Sequence, residues 1–185
     1  MLAKEEEIQQ RLRFAQRRIT ELLALNRGNL GAAEVDDKHQ LIQEVFFHLG
    51  GATEVLARIV NDVRKLGLVI DVVTKSKVLQ RLSKTDPAYT PLSDLNPNTR
   101  KDPMPADPYS EEGLLYRIFN YRHQVTHRGR NPFLYRVGDI PEVSLILDPR
   151  LDPKDRTPST KSLADELQEM AAIVDLKCTK VIQAL

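Results

Sequence analysis

A stripe of apolar residues at helical spacing, about seven turns long, is the feature of this sequence that most limits its fold. The stripe contains Leu41, Val45, His48, Ala52, Val55, Ile59, Val63 and Leu66. Steps of three and four place these side chains on one side of an α-helix, and the near-heptad spacing suits packing against neighbouring helices at shallow angles. Asp36 or Asp37 is the expected N-cap of this helix. Gly50 and Gly51 predict either a kink or a close approach by another helix at its middle.

Three other long stretches have the same periodicity and predict helices over 3–26, over 111–126 with Ser110 as N-cap, and from Ser159 or Ser162 to the end. Residues 68–82 predict a shorter helix, although their β-branched run is also typical of a strand. Six prolines between 85 and 109 predict an ordered crossing loop or a mobile lid, and the β-type runs within 133–147 predict a hairpin. The expected fold is therefore all-α, a four- to five-helix bundle with a small β-hairpin before the last helix, in a single domain over 1–185.

Charge and cysteine usage exclude several classes of protein. Lys+Arg 27 and Asp+Glu 26 leave a formal net charge of +1, so a basic field over the whole surface is absent and only a local patch can hold nucleic acid. The single cysteine, Cys178, lies on the apolar stripe of the last helix and is expected to be buried. No apolar run reaches the length of a membrane-spanning helix, and the charged N-terminus has no signal core. We expect a cytoplasmic protein that does not bind membranes.

The segment 116–132, YRIFNYRHQVTHRGRNP, brings titratable and cationic groups closest together. In it, Arg122 is followed by four residues and then His127, and His123 stands directly after the arginine. This pattern resembles the R-x4–6-H motif of the HEPN superfamily, whose members are all-α bundles and often dimers. The resemblance implies metal-independent RNA cleavage that needs no cofactor: His127 exchanges the proton of a ribose 2′-hydroxyl, Arg122 stabilises the phosphate charge, and His123 orients or assists.

The same resemblance implies that Arg128 and Arg130 hold flanking phosphates. Side chains five positions apart point about 140° from one another on an ideal helix. Arg122 and His127 can therefore serve one site where the helix loosens or where two protomers meet, which favours a homodimer. The superfamily also contains non-catalytic modules that bind nucleotides or partner proteins. We therefore expect a protein that interacts with RNA or nucleotides, which includes a ribonuclease of the defence or toxin type. A regulatory partner protein is a further expectation.

Two other interpretations of this segment remain open. His123 and His127 share a helix face, and with His48 they resemble the three-histidine metal sites of DinB-like helical bundles, although Gly129 and Pro132 break the helix sooner than in that family. The remaining interpretation is a scaffold or interaction protein without chemistry here. In it, Arg122 pairs with a carboxylate from another helix, and one line of α-helical positions forms a polar solvent face: Glu112, Tyr116, Asn120, His123 and His127.

A second group of basic residues lies on the first helix: Arg11, Arg13, Arg17 and Arg18. Such a group is typical of a solvated helix face, and it is also the composition of an anion-binding surface. The sequence favours the solvated face.

Overall fold

The computed structural model describes residues 2–25, 32–97, 102–127, 133–136, 142–148, 150–151 and 153–185. Its α-helices are α1 (Leu2–Leu25), α2 (Ala32–Val63), α3 (Lys75–Arg81), α4 (Tyr89–Asp94), α5 (Glu111–His127) and α6 (Leu163–Gln183). The strands β1 (Phe133–Arg136) and β2 (Glu142–Leu145) lie between α5 and α6. The prediction of an all-α fold with a small hairpin before the last helix is confirmed. Among the helices of these residues, none is long and apolar enough to cross a membrane.

Helix α2 lies at the centre of the fold and contacts α1, α3, α5 and α6. Ion pairs between Lys4 and Asp62 and between Arg18 and Glu44 show that α1 runs antiparallel to it. One hydrophobic cluster includes buried residues of every long helix and of β2. Burial of this shared apolar surface is the main force that holds the helices together.

The first turns of α2 differ from the sequence prediction. The helix begins at Ala32, so the expected N-cap at Asp36 or Asp37 is wrong, and both of these residues are exposed within the helix. The acidic residue of the first turn, where the helix dipole favours negative charge, is Glu34. The helix continues without a break through Gly50 and Gly51.

The predicted helix over 68–82 is wrong at its N-terminal half. A 3₁₀ turn, Ile70–Val72, buries none of its residues, and α3 begins only at Lys75 after the N-cap Thr74. Val69, Ile70 and Val72 of this run are exposed, so they offer no buried apolar face to hold a longer helix.

The Pro-rich segment 85–109 is not wholly a loop, which corrects the prediction made for it. It contains the short helix α4, whose Leu92 is fully buried in the core. Lys177 of α6 forms ion pairs with Asp94 at the end of α4 and with Glu111 at the start of α5, both at 2.5 Å between nitrogen and oxygen. One side chain thus holds both helices beside α6.

The caps predicted for the last two long helices are present. The Ser110 hydroxyl accepts a hydrogen bond from the Gly113 amide at 3.1 Å, and the Ser162 hydroxyl accepts one from the Asp165 amide at 3.2 Å. Cys178 is fully buried in α6, and burial raises the pKa of its thiol to about 12. The prediction that Cys178 is buried is confirmed.

The hairpin strands pair antiparallel, with Phe133 opposite Leu145 and Arg136 opposite Glu142. Leu145 is fully buried in the core shared by the helices. The Tyr121 hydroxyl of α5 donates a hydrogen bond to the carbonyl of Ile146, just beyond β2. This hydrogen bond joins the hairpin to α5, the helix that contains Arg122 and His127.

Candidate functional site

Helix α5 is buried on the side that the sequence predicts to be a solvent face. Tyr116 and Asn120 are only 2% exposed, so that prediction is wrong for both residues. The Tyr116 hydroxyl donates to the carbonyl of Asp102 at 3.1 Å, and the guanidinium of Arg150 lies over the Tyr116 ring. Residues before and after α5 in the chain thus cover its polar side.

A fully buried ion pair also joins α5 to α6. The guanidinium of Arg117 contacts the carboxylate of Glu166 at 2.5 Å, with both side chains inaccessible to solvent. Ser159 donates a second hydrogen bond to the same carboxylate at 3.0 Å. Burial lowers the pKa of Arg117, but Tyr121 and Glu166 together raise it by more, so the guanidinium stays charged. Sequence reasoning missed this pair, because Arg117 has no motif around it.

Arg122, the arginine of the R-x4-H pattern, lies against the middle of α2. Its Nη2 atom is 2.5 Å from Oε1 of Glu54, and a quarter of its side chain is exposed. The guanidinium carbon lies 3.0 Å from where a Cβ on Gly50 would stand, and such a Cβ would overlap the Cδ of Arg122. The glycines predicted a kink or a close approach by another helix, and at Gly50 an arginine side chain lies there instead.

A second arginine, Arg11 of α1, lies over the neighbouring glycine, Gly51. The guanidinium carbon of Arg11 lies 3.1 Å from where a Cβ on Gly51 would stand, and its Nη2 atom is 3.0 Å from Glu7. Because the two glycines are adjacent, the guanidinium carbons of Arg11 and Arg122 lie within about 12 Å of each other. We call Arg11, Gly50, Gly51 and Arg122 the arginine–glycine surface.

Both ion pairs on this surface are partly exposed: the side chains of Arg122 and Arg11 are 25% and 28% accessible to solvent. The side chains of Glu54 and Glu7 are 46% and 40% exposed, and exposed pairs of this kind contribute about 0 to 1 kcal/mol. A phosphate group forms charge-assisted hydrogen bonds with an arginine fork as a carboxylate does. Anion binding is therefore the chemistry that this geometry supports.

Lys75 is a further cationic residue near Arg122 that sequence reasoning missed. Its ammonium nitrogen donates to the Thr53 hydroxyl at 2.9 Å and lies 3.5 Å from the centre of the Phe119 ring. Burial, followed by the charge of Arg122, lowers the pKa of Lys75 to about 7, although Glu54 opposes the shift. The amine next to this surface can therefore change its charge near neutral pH.

His48 lies between two aromatic rings. Its ring centre is 5.2 Å from that of Phe14 on α1 and 5.5 Å from that of Phe47 on α2. It is half-buried, and no hydrogen-bond partner of its Nδ1 atom stands among the residues that the structure describes. Burial lowers the pKa of His48, and Arg11 and Arg18 lower it further.

The other histidines of the motif stand at the C-terminal end of α5. His123 is half-buried, and His127 is the last helical residue, five positions beyond Arg122. The side chain of His127, together with Arg128 and Arg130, lies outside the described part of the structure. Among the side chains that it does describe, no three His, Cys, Asp or Glu residues are placed to hold a metal ion. Because the side chain of His127 is not described, the metal triad of His48, His123 and His127 stays a prediction.

Comparison with known proteins adds no relative to this description. No family model, no curated protein and no solved structure matches the chain. The function of the arginine–glycine surface therefore has to be argued from its own geometry.

Proposed function

We propose that this chain is a HEPN-like, RNA- or nucleotide-interacting protein that binds phosphate groups at the arginine–glycine surface. One observation carries the proposal: Arg122, the arginine of the motif, is partly exposed beside Gly50, with a second guanidinium on the neighbouring glycine. The glycines have no side chains there, so the two arginine side chains lie against adjacent positions of the α2 backbone, and their exposed parts are proposed to hold the phosphates. A local cationic site of this kind is compatible with a net charge of +1.

The proposed activity at this surface is metal-independent cleavage of RNA. The ribose 2′-oxygen attacks the adjacent phosphorus, and the 5′-oxygen of the next nucleotide leaves with a proton. His127 is proposed to take up the 2′-hydroxyl proton or to deliver the proton of the leaving group, with Arg122 on the phosphate and His123 assisting. Because positions five apart on an ideal α-helix point about 140° from one another, the proposed active form is a homodimer in which two protomers meet at the site, located in the cytoplasm.

The first experiment compares RNA binding by the wild type and two arginine variants. Arg122→Gln is expected to weaken the binding of a fluorescein-labelled single-stranded RNA about tenfold or more, because a charge-assisted phosphate contact is lost. Arg81→Gln is the matched control: Arg81 is an exposed arginine of α3 whose Nη1 faces the carbonyl of Leu66, beyond the far end of α2. Equal affinities of the two variants would contradict the proposed binding surface.

The second experiment tests the activity in excess EDTA, with wild type and His127→Ala. Cleavage by wild type alone is the expected result, and it would also exclude a metal triad for that activity. Cleavage by both proteins would contradict the role of His127. RNA binding without any cleavage would contradict the ribonuclease assignment and favour a non-catalytic, nucleotide-binding function.

A further inference from the structure

Three aromatic rings form a continuous row on the surface shared by α1 and α2. Phe14 and Phe47 flank His48, with ring centres at 5.2 and 5.5 Å from that of the histidine. Phe14 is 40% exposed and Phe47 is 51% exposed, although both are large apolar side chains. We call Phe14, His48 and Phe47 the aromatic row.

The aromatic row is contiguous with the arginine–glycine surface. Phe47 precedes Gly50 and Gly51 by three and four residues on α2, so the three positions lie on one face of that helix. Phe14 follows Arg11 by three residues on α1, one turn away on the same face. The exposed rings and the two guanidinium groups thus belong to one side of the molecule.

We infer that the aromatic row stacks against unpaired nucleobases of a strand whose phosphates are held by Arg11 and Arg122. This inference rests on the proposed function and adds a base-contacting subsite to it. A flat π-face suits any base, and stacking of a base on an aromatic side chain contributes about 1 to 3 kcal/mol. In a duplex the faces of the bases are already stacked on one another, so the row selects unpaired nucleotides.

Exposed rings beside arginine forks favour a nucleic acid as the occupant of this patch. The rings are bordered by Arg11 and Arg18 of α1 and by Arg122 of α5, and the glutamates that pair with these arginines are exchanged for phosphates when a strand binds. A ligand that fits must present apolar planes and negative charges side by side, and a single nucleic acid strand has both in every repeat unit. An apolar protein partner would cover the rings without using the arginines.

The test measures the contribution of the bases separately from that of the phosphates. The probes are a labelled decamer of 2′-O-methyladenosine, which cannot be cleaved through its 2′-oxygen, and a decamer of the same backbone without bases. Wild type is expected to bind the adenosine decamer at least tenfold more tightly. Phe14→Leu/Phe47→Leu is expected to lose this preference while its affinity for the baseless decamer is unchanged. Leu176→Ala, at an exposed apolar residue of α6, is the control and keeps the preference.

Each outcome separates this inference from the proposed function. A wild-type protein that binds both decamers equally, or a double variant that keeps the preference, would overturn the aromatic row as a base subsite and leave phosphate binding intact. Binding of neither decamer would overturn the arginine–glycine surface as well. Because Phe14 and Phe47 are both exposed, the leucine variants are expected to unfold at the wild-type temperature, which circular dichroism checks.

Discussion

At the scale of single residues, the position of Arg122 depends on the absence of a Cβ atom at Gly50. Any Cβ at this position would overlap the arginine side chain, and the side chain is flexible enough to move away. A substitution at Gly50 therefore acts on the site by displacing Arg122, while α2 itself accepts the new residue. Gly51 has the same relation to Arg11.

Gly50→Ala is expected to displace Arg122 from Glu54 without unfolding the protein. Alanine is favoured over glycine inside a helix by about 1 kcal/mol, which offsets the cost of moving the arginine. The measurement is the ¹⁵N chemical shift of the Arg122 Nε, together with the free energy of unfolding in urea. Gly51→Ala serves as the control, because it is expected to shift the Nε signal of Arg11 instead. An unmoved Arg122 signal in Gly50→Ala would contradict the geometry described above.

Lys75 makes the stability of the protein depend on pH. The pKa of its amine is about 7 in the folded chain and about 10.4 in an unfolded one. Between these values the unfolded chain binds a proton that the folded chain does not, so the free energy of unfolding rises as the pH rises from 7 towards 10. Below pH 7 both states are protonated, and the full cost of burying the ammonium remains.

Lys75→Met is therefore expected to raise the free energy of unfolding at pH 7 by roughly 2 to 4 kcal/mol and to flatten its rise between pH 7 and 10. The upper value is the cost of the buried charge, and loss of the hydrogen bond to Thr53 reduces it. Urea unfolding at pH 7 and pH 9.5 measures both effects. Lys77→Met, at an exposed lysine of the same helix, is expected to keep the wild-type slope. Identical slopes for the two variants would show that Lys75 is not buried as described.

At the scale of elements, α5 and α6 are joined by a charge pair inside the core. Arg117 and Glu166 are both inaccessible to solvent, so neither charge can be rehydrated when the other is removed. This contact orients α5, and α5 in turn positions Arg122 on α2. The arginine–glycine surface thus depends on the Arg117–Glu166 ion pair, although neither residue is part of that surface.

Glu166→Gln is expected to lower the free energy of unfolding by about 3 kcal/mol or more, because the charge of Arg117 then stays buried without its counterion. Replacing both partners, as in Arg117→Met/Glu166→Leu, is expected to recover most of this loss, since apolar side chains of similar volume need no counterion. Urea unfolding of the three proteins tests this. A double variant as unstable as Glu166→Gln would contradict the account.

The long helices could be predicted from the sequence, whereas of the two short ones α3 lies within the helix predicted over 68–82 and α4 was missed. In α2 and α6 apolar residues recur over many turns, whereas α4 buries one residue, Leu92, within a single pair of turns. The burial of Lys75 at the first position of α3 could not be predicted, because it depends on where α3 meets α5.

The candidate site was predictable in part. Arg122 was marked by its motif and the glycines by their position in α2, but their contact with each other required the register between helices. The place of Arg11 beside Gly51 follows from the antiparallel register of α1 and α2, which ion pairs at both ends of α1 report. A sequence pattern shows which face of a helix is buried. It does not show which residue of another element lies against that face.

At the scale of the whole molecule, stability is concentrated around α2. Its buried residues belong to the core cluster that the other long helices share, whereas the turn Ile70–Val72 buries no residue. Amides in the middle of α2 are expected to exchange with deuterium only through global unfolding, and those of the turn within seconds. Hydrogen exchange followed by mass spectrometry measures both. Comparable protection of the two segments would contradict this distribution of stability.

The central place of α2 also has a consequence for how the chain is made. A ribosome completes α1 and α2 first, and these two helices can pair at once because they are adjacent in the chain. Phe46 of α2 stacks on Tyr121, so this contact forms only after α5 has been synthesised. The surface of α2 that contacts α6 stays uncovered until α6 has been synthesised. At about 5 to 20 residues per second, α6 is complete roughly 6 to 24 s after α2. For that interval the nascent chain exposes the apolar surface of its own core, and a chaperone that covers it would act on this helix.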